Sequence, residues 1–330
     1  MFETILRAAR IRAFKKGRWT QDLLGKARQA AIVNPGNRER LHYLNLHRAI
    51  QPFDNAAITA LPEWVTKENS TSALHLNAAI ASIFQSLGYN EQARELTEAF
   101  PDKRIRLLAG YPYLLSLISP KRCLSAGDLN LVNLAKEFVP RIEPVEGFFR
   151  SSNYKSVAVV GNSPQSKGSS CGAEIDSADC VIRFNNAVTD DIFTHDYGSK
   201  TDLRIVSPGF DFDSHRSESS DRKTRENIAV SGYEPFSRKG LYWQKIARHD
   251  PARVLFFPTS AWHRLVSTLN APPTAGLLCL QSLEMAEIEY SAFGFSKIYD
   301  ETQDNHYADK HPRSSRHNWQ AEAALISSLA

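Results

Sequence analysis

Residues 157–164 read VAVVGNSP, an apolar run followed by a turn of small and polar residues. Four consecutive apolar residues, three of them β-branched, are typical of a parallel strand that is buried on both faces. The run ends at Gly161, and a small, flexible turn after a buried strand lets backbone N–H groups approach an anion. We therefore predict a buried strand whose carboxyl end faces a ligand.

Short runs with strand character continue downstream, separated by helical patterns. The further predicted strands are 180–184, 203–207, 228–231, 254–257 and 290–293. The helical patterns between them lie at 240–248, 261–269 and 275–287. This alternation predicts an α/β fold with a mainly parallel, Rossmann-like sheet flanked by helices. In such sheets ligands bind beyond the carboxyl ends of the strands, so functional residues are expected there.

The upstream half is predicted to be helical. Residues 72–100 place apolar residues at helical spacing, with a break at Gly88 between two helices. The pair weakly resembles one tetratricopeptide-type hairpin, without a second copy at a fixed period. Residues 141–156 contain Pro, Gly and Ser without a clear period, and we interpret them as an irregular connection. The predicted domains are an α-helical accessory region at 1–145 and an α/β domain at 146–330.

Composition limits the class of protein. Of the 330 residues 42% are hydrophobic, which is enough for a core and excludes wholesale disorder. The four cysteines show no C-x-x-C spacing, which favours a reducing, cytoplasmic setting. Residues 1–20 contain no uninterrupted apolar segment of the kind found in a signal peptide.

Charge is concentrated at the N-terminus. Residues 1–40 hold ten Lys or Arg against three Asp or Glu. Apolar residues interleave with these cations over 2–19, so we expect peripheral contact with the inner face of an anionic membrane and no nucleic-acid partner. A solvated basic helix, which is the more common use of such a pattern, is the alternative. Liposome co-sedimentation with and without residues 1–20 would test the contact.

Polar residues follow the first two strands. The turn Gly161-Asn162-Ser163 fits neither the G-x-G-x-x-G fingerprint nor the P-loop pattern. The sequence therefore lacks the main feature that would predict an NAD or ATP site. The next strand ends at Arg183 and Asn185. An Asn side chain offers both donors and an acceptor, which suits a ribose or a nucleobase edge.

A second candidate site opens a helix. Residues 272–276 read PPTAG before an apolar helical run. A hydroxyl at a helix N-cap, with free N–H groups behind it, either holds a carboxylate or phosphate or merely caps its own helix. The sequence alone leaves both interpretations open for Thr274.

Metal binding has weak support in the sequence. His306, His311 and His317 match no common zinc spacing. The D-x-D at 211–213 has two carboxylates that could chelate a hard cation, but it lies in a polar stretch that reads as a loop. We therefore predict no metal ion.

Taken together, these segments resemble a known family. Residues 157–202 contain G-N-S, I-D-S-A-D-x-V-I-R-F-N and D-Y-G-S-K-T-D in order. They resemble the long sialylmotif of the eukaryotic-type sialyltransferases, glycosyltransferase family 29. PPTAG followed by FGF at 293–295 is similar to the short motif. His306-Tyr307 and His317-x4-Glu322 are similar to the last two motifs. The resemblance implies a GT-A-like fold and a bacterial-style member of the family.

The resemblance also implies roles for individual residues. His317 would be the catalytic base of a single inverting displacement, and His306 would contact the departing phosphate. A neutral imidazole suits a base near neutral pH. The expected donor-binding residues are Gly161, Asn162, Ser163, Asn185, Thr274, Ala275, Gly276 and Tyr307. The expected supporting residues are Arg183, Asp196 and Glu322.

The implied substrates are CMP-sialic acid as donor and a glycan or glycolipid hydroxyl as acceptor, with no metal and no other cofactor. Secreted members join the two main motifs by a disulfide, whose positions here are Val157 and Glu287; neither is Cys, which agrees with a cytoplasmic setting. Two alternatives stay open. One is a transferase for another CMP-activated 2-keto sugar acid, such as Kdo. The other is a non-catalytic helical-repeat binding protein.

Overall fold

A computed structural model of the chain describes residues 2–212, 226–234, 236, 242–295 and 314–329. The α-helices are α1 (Phe2–Lys15), α2 (Gln21–Val33), α3 (Asn37–Ile50), α4 (Asn55–Ala60), α5 (Thr71–Ser86), α6 (Asn90–Glu98), α7 (Pro112–Leu117), α8 (Ala126–Phe138), α9 (Val145–Ser152), α10 (Gly172–Ser177), α11 (Asp191–Tyr197), α12 (Tyr242–His249), α13 (Thr259–Leu269), α14 (Ala275–Met285) and α15 (Trp319–Leu329). The strands are β1 (Ile142–Pro144), β2 (Val157–Val160), β3 (Cys180–Phe184), β4 (Leu203–Val206), β5 (Asn227–Val230), β6 (Arg253–Phe256) and β7 (Ser291–Phe293).

The strands form one sheet in the order β1-β6-β5-β4-β3-β2-β7. β2 pairs in parallel with both β3 and β7, and the pairs from β3 to β6 are parallel as well. All residues of β2, β3 and β4 are buried, as a sheet covered by helices on both faces requires. The predicted α/β architecture, with a mainly parallel sheet flanked by helices after a helical N-terminal region, is confirmed.

The strand order places a crevice in the sheet. From β2 the chain moves through β3, β4, β5 and β6 toward one edge, and it then crosses back so that β7 lies on the other side of β2. Ligands of parallel sheets bind at this kind of reversal, outside the carboxyl ends of the strands. Here those ends lead into Gly161 after β2 and Gly294 after β7.

The prediction of an irregular connection over residues 141–156 is wrong. This segment contains β1 and the helix α9, in which Val145, Phe148 and Phe149 are buried. Their i, i+3, i+4 spacing is the helical pattern, but a helix of eight residues is too short for that pattern to stand out. The Arg253 guanidinium lies 5.5 Å from the centre of the Phe148 ring and covers it.

The chain divides into two compact units, one formed by Met1–Ile142 with Glu234–Asp250 and the other by Glu143–Tyr233 with Pro251–Ala330. The first unit is helical. Its central helix α5 is buried along most of its length and packs against α3 and α6. A segment from the middle of the chain completes its core, because Trp243 of α12 donates to the Ala109 carbonyl at 2.7 Å. The Trp243 ring also packs 5.5 Å from that of Phe138.

The basic N-terminal helix α1 is attached to its own unit. Arg10 donates to Glu39 of α3 at 2.8 Å, and the Phe14 ring stacks on Trp19 with 4.7 Å between centroids. Among the described residues, no helix is both long and apolar enough to cross a membrane.

Candidate active site

Two glycines bring the ends of β2 and β7 into backbone contact. The Gly161 amide donates to the Phe293 carbonyl at 2.8 Å. A Cβ at Gly161 would lie 2.7 Å from the Gly294 carbonyl oxygen, closer than side-chain carbons approach backbone atoms. Gly294 has φ +74°, which other residues rarely adopt. The sequence therefore needs glycine at both positions for the crevice to form.

Asn162 follows Gly161 at the mouth of the crevice. Its Nδ2 donates to the Phe184 carbonyl at 3.1 Å, which fixes the orientation of the amide. Its Oδ1 is then buried, and it has no hydrogen-bond partner in the described part of the chain. Since buried acceptors in proteins are nearly always paired, this oxygen is a natural acceptor for a ligand N–H or O–H.

Asn185 lies at the end of β3, where its side chain braces the sheet. It has φ +47°, and its Oδ1 accepts from the Ser207 amide at 2.9 Å and the Ser207 hydroxyl at 3.0 Å. Its carbonyl accepts from Arg204 at 2.7 Å. The sequence predicted that the Asn185 side chain would contact a ribose or a nucleobase. Its Oδ1 instead accepts hydrogen bonds within the protein, whereas its Nδ2 has no partner among the described residues.

The acidic residues of the long motif hold its loops together. Asp176 accepts from the Ser199 and Lys200 amides at 2.9 Å, and Asp196 accepts from the Gly168 amide at 2.7 Å and the Ser170 amide at 3.0 Å. Hydrogen bonds from these two amides hold the pKa of Asp196 below its usual value. Asp196, predicted as a supporting residue, thus fixes the Gly-rich loop after β2.

Arg183, also predicted as supporting, is fully buried in β3. Its Nε donates to the Lys200 carbonyl at 2.8 Å and its Nη2 to the Tyr197 carbonyl at 2.7 Å. The Tyr197 hydroxyl in turn donates to the Ser163 carbonyl at 3.0 Å, so that Arg183 positions the turn after β2 indirectly. In the two bonds from Arg183 the guanidinium contacts backbone carbonyls and not the residues of the crevice.

The ring of Phe295 joins the turn after β2 to the start of α14. A Cβ at Gly161 would lie 3.3 Å from Phe295 Cε2, and a Cβ at Gly276 would lie 2.8 Å from Cε1. Glycine at 276 thus lets the ring lie against the first turn of the helix. Two predicted donor-binding residues, Gly161 and Gly276, therefore meet on one ring. In the sequence Phe295 belongs to a segment that resembles a family motif, but the motif does not predict that its ring packs against both turns.

Thr274 is the N-cap of α14. Its Oγ1 accepts from the Leu277 amide at 3.2 Å, as a capping hydroxyl does. The same hydroxyl oxygen lies 2.6 Å from Glu322 Oε2, and the Thr274 amide donates to Glu322 Oε1 at 3.0 Å. Thr274 therefore caps its own helix and also binds the C-terminal helix α15.

His317 lies in the turn before α15, where its tautomer is fixed. Its Nδ1 is 2.8 Å from the Pro272 carbonyl oxygen. Because a carbonyl can only accept, Nδ1 carries the proton and Nε2 keeps its lone pair. Burial lowers the pKa of His317 below its usual value, although the bond to Pro272 opposes the shift. The side chain is 22% exposed, so the ring is not sealed from solvent.

Glu322 is fully buried beneath this turn. Its Oε1 lies 3.7 Å from His317 Nδ1, and both of its oxygens contact Thr274. Burial raises the pKa of Glu322 to about 7, although the hydrogen bonds from Thr274 oppose the shift. The structure thus brings together Thr274, His317 and Glu322, which are up to 48 residues apart in sequence.

Several predicted positions lie outside the described residues. They are His306, Tyr307, His311 and Asp213 of the D-x-D. Within the described residues, no three His, Cys, Asp or Glu side chains are grouped so as to hold a metal ion. The four cysteines are free, and Cys180 and Cys279 are buried.

Comparison with known proteins supports this motif-based reading. Residues 124–234 match the model of glycosyltransferase family 29 (sialyltransferase). This match covers less than half of the chain. Alpha-2,8-sialyltransferase 8E of Rattus norvegicus is 44% identical over 70 residues, which are 21% of this chain and 19% of that protein. A Homo sapiens alpha-2,6-sialyltransferase acting on alpha-N-acetyl-neuraminyl-2,3-beta-galactosyl-1,3-N-acetyl-galactosaminide is 53% identical over 53 residues, 16% of this chain and 17% of that protein.

The family 29 likeness is local. The chain spans less than a fifth of the length of these curated relatives. A crystal structure of a mammalian sialyltransferase in complex with Gal-beta-1-3GalNAc-ortho-nitrophenol aligns with a TM-score of 0.44 at 21% identity, covering 60% of this chain and 75% of that chain.

Gly161→Ala is predicted to destabilise the unit that contains the sheet by about 1–3 kcal/mol, because the added methyl would overlap the Gly294 carbonyl and force β2 and β7 apart. Chemical denaturation would measure the loss. The matched control is Gly25→Ala in α2, where nothing lies within 4 Å of the new Cβ. There alanine should stabilise the helix by about 0.5–1 kcal/mol. Equal stability of the Gly161→Ala variant and the parent would contradict the close backbone contact.

Proposed function

We propose that this protein is a sialyltransferase that moves sialic acid from CMP-sialic acid to a glycan or glycolipid hydroxyl by an inverting displacement, with His317 as base. The family match and the curated relatives support the class of enzyme. The observation that carries the base assignment is the bond from His317 Nδ1 to the Pro272 carbonyl, which leaves Nε2 as a proton acceptor.

The proposed donor site uses the turns that meet on Phe295. The buried Oδ1 of Asn162 would accept from the nucleoside, and the first amides of α14, at Ala275 and Gly276, would face the carboxylate of the sugar. A carboxylate on the anomeric carbon makes the donor reactive, so positioning and electrostatics supply most of the remaining work. His306 and Tyr307 complete the proposed site, and His306 would stabilise the departing phosphate.

The proposed transfer forms one bond at the anomeric carbon and breaks another. His317 Nε2 takes the proton of the acceptor hydroxyl while that oxygen forms a bond to the anomeric carbon. The bond from the same carbon to the phosphate oxygen breaks, and CMP leaves with the electron pair. One displacement inverts the configuration. Glu322 lies 3.7 Å from His317 Nδ1, on the side of the ring opposite the reacting nitrogen.

The donor is tested directly by mixing the purified full chain with CMP-sialic acid, CMP-Kdo and UDP-sugars, with and without acceptor glycans. Release of CMP only from CMP-sialic acid supports the proposal. Turnover of CMP-Kdo alone would shift the assignment to the other 2-keto sugar acid, and turnover of UDP-sugars would contradict it.

His317→Ala should lower kcat for CMP-sialic acid by about 10²–10⁴-fold, because the acceptor hydroxyl loses its base. Product formation followed by chromatography measures the effect. His75→Ala is the matched control, since His75 lies on α5 in the other unit, and it should keep the parental rate. A parental rate in the His317→Ala variant would remove this residue from the mechanism.

The pH profile provides an independent check on the base. Burial lowers the pKa of His317 from its usual 6.5, so the imidazole stays neutral and active at more acidic pH than an exposed histidine. On its acidic side, kcat/KM should therefore fall to half of its maximum only below pH 6.5. A half-maximum reached well above pH 6.5 on that side would be inconsistent with this assignment.

Metal independence is part of the proposal. A CMP-sugar carries a single phosphate, which needs less neutralising charge than the diphosphate of a UDP-sugar, and a histidine can supply a charge-assisted hydrogen bond to it. Donor turnover should be unchanged in excess EDTA. Loss of turnover that Mg²⁺ or Mn²⁺ restores would show that a metal is required.

A further inference from the structure

The contact between Thr274 and Glu322 uses every polar atom of the carboxyl group. Oε1 accepts from the Thr274 amide at 3.0 Å, and Oε2 lies 2.6 Å from Thr274 Oγ1. The same Oγ1 also accepts from the Leu277 amide at 3.2 Å. The proton between Oγ1 and Oε2 is therefore bonded either to the threonine oxygen or to the carboxyl oxygen. The group that carries this proton decides where the threonine hydroxyl points.

The surroundings favour a neutral acid. Glu322 is 0% exposed, and no Lys or Arg of the described residues forms an ion pair with it. On α14, Thr274 faces it, whereas the one charged residue of that helix, Glu284, accepts from Tyr290. On α13, neither His263 nor Arg264 pairs with it. A buried carboxylate without a cation is costly, and the acid form avoids that cost.

His317 is the remaining titratable group beside Glu322. Its Nδ1 is 3.7 Å from Oε1, but its proton is directed to the Pro272 carbonyl. The same burial that lowers the pKa of His317 raises that of Glu322 to about 7. Both shifts favour the neutral form of each group, and for Glu322 that form predominates below about pH 7.

We propose that Glu322 is a positioning residue that acts as the neutral acid, and that its proton sets the direction of the Thr274 hydroxyl. In the acid form Oε2–H donates to Thr274 Oγ1, whose second lone pair is filled by Leu277. The hydroxyl proton of Thr274 is then free to donate to a ligand. In the ionised form the Thr274 hydroxyl donates its proton to Glu322 and cannot donate to a ligand.

This inference rests on the proposed function, in which the donor carboxylate lies at the start of α14. The acid form adds a hydroxyl donor beside the Ala275 and Gly276 amides. The ionised form withdraws the donor and places a negative charge behind it, so both effects weaken the binding of an anion. Donor affinity should therefore fall about tenfold per pH unit once Glu322 ionises, above about pH 7.

Glu322→Gln tests the protonation state without a ligand. Glutamine is a neutral isostere that can accept from the Thr274 amide and donate to Oγ1. The folded acid holds its proton up to about pH 7, whereas the unfolded chain releases it near pH 4.3. The melting temperature of the parent chain should therefore fall relative to that of E322Q between about pH 4.3 and 7 and run parallel above. Parallel curves throughout would overturn the proposal.

Calorimetric titration with CMP-sialic acid between pH 7 and 9 tests the coupling. The parent should lose affinity about tenfold per pH unit, and E322Q should bind with no such dependence. Glu284→Gln is the control on the same helix, because Glu284 accepts from Tyr290 and not from Thr274, and it should keep the pH dependence of the parent. CMP lacks the sugar carboxylate, so its affinity should not change with Glu322. A pH-independent donor affinity in the parent would overturn the coupling. If no variant binds CMP-sialic acid at any pH, the proposed function fails, and the melting curves still decide the state of Glu322.

Discussion

The close backbone contact between Gly161 and Gly294 is the constraint on which the candidate site depends. Each residue follows a parallel strand at the point where the sheet reverses its order, and neither leaves room for a side chain. The contact brings Phe295 against the turn after β2, and the Phe295 ring then lies on the first turn of α14. From there Thr274 reaches Glu322, whose carboxyl lies beside His317. Loss of the first contact would therefore separate groups that are far apart in sequence.

The sheet was predictable because its strands are buried on both faces. The apolar run 157–160 and the segment 180–184, which is apolar except for Arg183, appear in the structure with the predicted bounds. The segment 141–156 was misread because β1 has three residues and α9 has eight, too few for a periodic signal to exceed that of the Pro and Gly around them. The inclusion of α12 in the helical unit was also invisible, because it depends on the Trp243 contact with Ala109, 134 residues earlier in the chain.

The sequence motifs predicted which segments form the candidate site, but they did not predict which hydrogen bonds the individual atoms make. Asn162, Thr274 and His317 lie in the turns where the resemblance put them, but the hydrogen-bond partners of each come from other segments. The Asn185 oxygen is used by Ser207, and Asp196 binds loop amides instead of facing the crevice. A motif records that a residue type is needed at a position. It does not distinguish a side chain that binds the ligand from one that holds the loop, because both depend on the same hydrogen-bonding groups.

The matched family segment and the proposed chemistry come from different parts of the chain. The family match ends at residue 234, before Pro272, Thr274, His317 and Glu322. The proposed base therefore rests on the resemblance of His317-x4-Glu322 to the last family motif, and the geometry supports it. A carbonyl that can only accept fixes the proton on Nδ1, and a buried acid without a cation lies beside it. A neutral imidazole and a neutral carboxyl can lie side by side without an unpaired charge, whereas ionising Glu322 alone would bury a charge. Burial thus shifts both groups toward the forms that the proposed step requires, and the single contact through Thr274 passes the state of the acid to the start of α14.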